Sequence, residues 1–140
     1  MKSKKNNKGQ IGVEYLIIVG FVTFVVISLF LLAYLYSGII RDRIRTSQLD
    51  AFAVKIIDVS EEVYYSGEPS LSTIKAYLPE NVKTIEIQDD NLIFTLETSS
   101  GITKTAYSSK VPISGSFTAV PGIKKLKIKA EADKVEISQV

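Results

Sequence analysis

The chain divides by its hydrophobic pattern into three stretches. The first nine residues are polar and carry Lys2, Lys4, Lys5 and Lys8. From Ile11 to Ile40 the pattern is continuously apolar, and Glu14 and the tyrosines are the only ionisable groups in it. Thirty residues at 1.5 Å each make a helix about 45 Å long, more than the ~20 residues that cross a bilayer. Being apolar on every side, this stretch has no face suited to water. Past Arg41, Arg43 and Arg45 the pattern becomes one-sided. Leu49, Phe52, Ile56, Val59 and Val63 recur at spacings of three and four, with Asp50, Asp58, Glu61 and Glu62 off the stripe. Gly67 and Pro69 read as a helix stop. One helix is therefore expected from about Ile11 to Tyr65, roughly 80 Å long. Its stripe at Leu49, Phe52, Ile56, Val59 and Val63 is expected to pack on whatever follows.

From Leu71 the period changes to two. Thr84 to Ile87 alternates and meets the turn cluster Asp89-Asp90-Asn91, after which Leu92, Phe94 and Leu96 alternate in turn. Ser99-Ser100-Gly101 turns again, and Ile102 to Tyr107 returns. Leu126, Ile128 and Ala130 alternate with lysines, and Glu131-Ala132-Asp133 leads into Val135 and Ile137. These segments predict hairpins of one antiparallel sheet, polar on one face. Val111 to Gly122, with Pro112, Gly115, Pro121 and Gly122, reads as irregular. The fold class expected is α+β: a long N-terminal helix packed on a small antiparallel β domain. Its sections are 1–9, 10–40, 41–67 and 68–140.

Composition narrows the chemistry. The 140 residues contain no cysteine and no histidine. Disulfides, thiolate or imidazole metal sites and Ser-His or Cys-His nucleophile pairs are excluded. The net charge of +2 gives no sign of nucleic-acid binding. No asparagine begins an N-glycosylation sequon. The acidic pairs Asp89-Asp90 and Glu61-Glu62 read as solvated turn and helix-surface groups. Neither an enzyme nor a cofactor is expected. The lysines at 124, 125, 127 and 129 read as a solvated strand face that also blunts a sheet edge, with an anion-binding patch as the alternative.

A secretory signal fits the N-terminus poorly. The apolar run is about twice the length of a signal core, and Leu31 to Tyr36 holds no small-X-small cleavage site. A plain membrane anchor fits better, with the lysines holding the N-terminus in the cytoplasm. Glu14 is unusual for a plain anchor, because a carboxylate inside a bilayer costs a few kcal/mol.

Lys8-Gly9-Gln10-Ile11-Gly12-Val13-Glu14-Tyr15, followed by the apolar run, resembles the class III signal peptide of archaeal type IV pilin-like proteins. The resemblance implies a prepilin, cut by a prepilin peptidase between Gly9 and Gln10. Lys8, Gly12, Glu14 and Tyr15 would then flank the cut as recognition residues. Gly12 departs from the family pattern, which has serine there. The likeness is specific from Lys8 to about Ile40 and one of general layout beyond.

It further implies a filament of many copies of this chain, assembled from the membrane by a motor ATPase and a membrane platform protein and used for surface adhesion. An archaellin, a minor pseudopilin or an uncleaved anchor displaying a β binding domain are the alternatives. Cutting would free the Gln10 amine, and Glu14, four residues on, shares its helix face. Pairing of Glu14 with its own or a neighbour's amine would fix axial register. Loss of the four leader lysines would take the 17 basic and 15 acidic residues to 13 and 15, from +2 to −2.

Overall fold

The structure, a computed structural model, describes residues 7–140, with side chains from Ile11 onward. The leader residues Met1 to Asn6 lie outside the described residues. The chain forms one helix, α1 (Asn7–Ser66), and seven strands: β1 (Leu71–Leu78), β2 (Val82–Gln88), β3 (Asn91–Thr98), β4 (Gly101–Ser108), β5 (Ile113–Ser116), β6 (Gly122–Ala130) and β7 (Val135–Gln139). Two compact units divide at Ile40/Arg41. The first is the apolar part of α1. The second, the head, contains the rest of α1 and all seven strands.

Gly67 ends the helix. Its φ of 73° is a left-handed conformation that only glycine adopts without cost, and its N–H donates to Tyr64 O at 3.0 Å. Ser70 N–H then donates to Gly67 O at 2.8 Å and turns the chain into β1.

The α+β class expected from the pattern is present, but the strands form two sheets. One has the order β1-β6-β7-β5, and the other is β2-β3-β4. All pairings are antiparallel except β5 with β7, which is parallel. β5 lies in the stretch read as irregular. Four residues, two of them serine and one glycine, carry too little alternation to announce β5. Gly115 lies opposite Ile137 with φ 130°, and a Cβ there would stand 1.9 Å from Ile137 O. Only glycine allows this close approach.

The β2–β3 hairpin closes on Asp89 and Asp90, both at positive φ (49° and 61°), the two-residue geometry that matches strand twist. Asn91 Nδ2 donates to Asp89 O at 2.8 Å and steadies it.

One core lies between α1 and the two sheets. Leu49, Phe52, Ile56 and Val63 are buried in it, and Val59 packs against it half-buried. The inward residues of β3 and β6, Leu92, Phe94 and Leu96 with Leu126, Ile128 and Ala130, complete it. Phe52 is the central contact. Its ring meets Phe94 of β3 edge-on at 6.1 Å and Phe117, just after β5, at 6.0 Å.

The lysine row is not on an edge. β6 lies between β1 and β7, so Lys125, Lys127 and Lys129 stand on the outer face of an interior strand. Lys124 is turned inward and buried, and its Nζ donates to Thr118 Oγ1 at 2.9 Å.

Candidate anchoring and assembly helix

In the first unit the apolar side chains of α1 have nothing over them. Ile11, Phe21, Phe30 and Tyr34 are all at least two-thirds exposed, and no part of the membrane-length window is buried. The backbone satisfies itself through the helix, which is the condition for crossing lipid. Two hydroxyls in the run are satisfied internally as well. Ser28 Oγ donates to Phe24 O at 2.8 Å, and Ser37 Oγ donates to Tyr34 O at 2.9 Å. The helix is thus long and apolar enough to cross a membrane.

Lys8, Gly9 and Gln10 lie in the first turns of α1, where only the backbone is described. Gly12 and Tyr15 follow in the same helix, and a Cβ on Gly12 would meet nothing within 4 Å. Glu14 is on the exposed surface of the helix, one turn after Gln10. Gly20 likewise faces open space.

In the head, carboxylates along α1 tie the helix to the strands, a role the hydrophobic pattern did not reveal. Asp42 accepts from Ser99 N–H at 2.9 Å and from the Ser99 hydroxyl, in the turn between β3 and β4. These bonds, the hydroxyl's first, hold the Asp42 carboxyl below its ordinary range, with help from nearby Arg45. Arg45 reaches Glu80 at 3.7 Å. Asp50 accepts from the Tyr107 hydroxyl. Partial burial, then this bond, pushes the tyrosine well above its ordinary value. Glu61 pairs with Lys110 at 3.5 Å, and Lys55 Nζ donates to Lys75 O at 2.8 Å on β1. The only sequence signal for these contacts is the presence of acids off the apolar stripe.

Among the described residues no group of three or more carboxylates forms a metal cage. The grooves beside β4 and between β5 and β7 are open and shallow. One is lined by Val54, Asp58, Glu61 and Tyr107, the other by Ser116, Thr118 and Gln139. No protein-family model, curated protein or solved structure matches this chain.

Proposed function

We propose that this chain is the structural subunit of an archaeal type IV-like adhesion pilus, cut after Gly9 and polymerised through its apolar helix. The observation that carries the reading is the bare apolar surface of α1 from Ile11 to Ile40. Its length favours polymerisation over simple anchoring. About 45 Å of apolar helix exceeds a hydrocarbon layer of ~30 Å, and in a bilayer the excess has to be absorbed by tilting, kinking or local thickening. In a filament the whole length is covered by neighbouring helices and no excess remains. The Gly-Gln-X-Gly-X-Glu-Tyr sequence at Gly9 to Tyr15 supports the cut.

On this reading the precursor sits in the membrane with its N-terminus in the cytoplasm, and the mature chain ends in an extracellular pilus. It acts by assembly, without catalysis or cofactor. A prepilin peptidase processes it, and an assembly ATPase and platform protein extrude it. Glu14 meets the Gln10 amine of its own or the next subunit, which offsets the cost of a carboxylate inside the helix bundle.

The test is the intact mass and N-terminal sequence of material sheared from the cell surface. A chain beginning at Gln10 in high-molecular-weight form is expected. A chain that keeps Met1 and comes off only with detergent would overturn the proposal and leave an uncleaved anchor.

A further inference from the structure

The head carries two charged faces of opposite sign that its own fold leaves unpaired. On the outer face of the first sheet, Lys125, Lys127 and Lys129 stand two residues apart along β6, and Lys75 of β1 is directly opposite Lys125. Like charges facing across a strand pair destabilise it. Glu136 is opposite Lys129 on β7, yet none of the four lysines makes an ion pair among the described residues. Because β6 is interior, guarding a sheet edge does not account for the row. Apolar side chains bracket it. Leu71 stands at one end, and the cross-strand pair Tyr77 and Ile123 at the other, with Ile123 75% exposed.

The second face is on α1. Val54, Asp58, Glu62 and Tyr65 follow at spacings of four, four and three, so they form one stripe. All four are exposed, on the side of the helix turned away from the buried Leu49, Phe52, Ile56 and Val63. Asp58 and Glu62 also make no ion pair among the described residues. Their order is apolar, acid, acid, apolar, the counterpart of Ile123, Lys125, Lys127 and Leu71, which stands opposite Lys129, on the sheet face. The spacings agree too. Residues i and i+4 on a helix are ~6 Å apart along the axis, and residues i and i+2 on a strand ~6.7 Å.

We infer that the lysine face of one head docks on the Val54–Tyr65 stripe of a second copy. Lys125 and Lys127 lie against Asp58 and Glu62, and the apolar ends meet apolar ends. The two faces are different patches of one molecule, so the contact is heterologous. Such a contact does not close a pair and propagates along an open helical chain when its rotation does not form a ring. The inference rests on the proposed filament and specifies the contact its heads make.

The chain has no cysteine of its own, which makes a crosslink readable. The variant Glu62→Cys with Lys127→Cys, assembled on cells and then oxidised, should give a ladder of covalent multimers on a non-reducing gel. Either single variant should give dimers at most. Charge reversal supplies the second arm. Lys125→Glu with Lys127→Glu, or Asp58→Lys with Glu62→Lys, should cut the sheared filament yield at least tenfold. The fourfold exchange, which restores opposite charges, should recover most of it. Cleaved filaments with no ladder, or a fourfold exchange no better than either reversal, would overturn the head contact and leave the proposed function standing. Wild-type chain that keeps Met1 and forms no filament would overturn both.

Discussion

Truncation of Phe52 to alanine removes a buried helix side chain that packs on Phe94 of β3 and on Phe117 just after β5. Phe52 is 2% exposed, and its ring contacts Phe94 at 6.1 Å and Phe117 at 6.0 Å. Deleting a buried phenylalanine costs about 3–5 kcal/mol, because the lost transfer energy is joined by the cavity left behind. Two aromatic contacts at ~0.5–1.5 kcal/mol each place this site in the upper half of that range. We expect ~4 kcal/mol, which for a unit of this size lowers Tm by roughly 16–32 °C. The assay is thermal unfolding of the full chain in detergent micelles, followed by near-ultraviolet circular dichroism. Four of the seven tyrosines that give that signal, Tyr64, Tyr65, Tyr77 and Tyr107, are in the head. The far-ultraviolet signal would be dominated by the apolar helix, which the micelle keeps folded. Phe52→Leu should lose well under half as much. A loss below ~1 kcal/mol for Phe52→Ala would refute a single core closed between helix and sheets.

Four further outcomes follow from the geometry. Gly115→Ala should cost about 3 kcal/mol or prevent folding, since a Cβ would stand 1.9 Å from Ile137 O at a φ of 130°; a Tm within a few degrees of wild type would refute the parallel β5–β7 pairing. The lowered Asp42 pKa gives stability that is present above the ordinary carboxyl value of 3.8 and lost as pH falls through the lower folded value. The acid limb of a Tm–pH profile should therefore flatten in Asp42→Asn. Tyr107 has the opposite sign. Its raised pKa gives stability that is complete below the ordinary value of 10.0 and lost as pH rises towards the folded one, so Tyr107→Phe should remove part of the alkaline loss and one late-titrating tyrosine from the absorbance titration. On the proposed filament reading, Glu14→Gln should leave the cut at Gly9 in place and reduce filament yield and length; normal filaments would dismiss the register role.

The helix was legible because its signals agree. The apolar run, the stripe from Leu49 to Val63 and the stop at Gly67 each point to the same element, and the chain is helical through Ser66. The β2–β3–β4 meander was legible for the same reason, with alternation in Leu92, Phe94 and Leu96 meeting turn residues at both ends. The division into two sheets was not legible. Alternation says which face a residue takes, and it does not say which strand lies beside it. β1 pairs with β6, some fifty residues later, and no local pattern records a pairing of that range. The lysine row illustrates the difference. Its alternation correctly put Lys125, Lys127 and Lys129 outside, but its placement on an edge failed because β7 covers the far side of β6. Lys124 breaks the alternation of charge and falls inside, where Thr118 meets it. The apolar helix was readable from composition alone, since a stretch apolar on all sides has no face suited to water.

The pairing of β1 with β6 and of β6 with β7 also governs when the head can form. The β2–β3–β4 meander needs only neighbouring hairpins and can form soon after Ser108 is free. The other sheet cannot begin until β6 has emerged, and Leu126, Ile128, Val135 and Ile137 are among its core residues. Until then, the stripe from Leu49 to Val63 lacks half its cover. The ribosome makes the apolar helix first and the closing strands last. On the proposed reading, a chain handed to the membrane from its N-terminus arrives with its head still open, in a state that can be threaded across. On the same reading, closure follows on the far side, where β6 pairs between β1 and β7 and the folded head can no longer slip back.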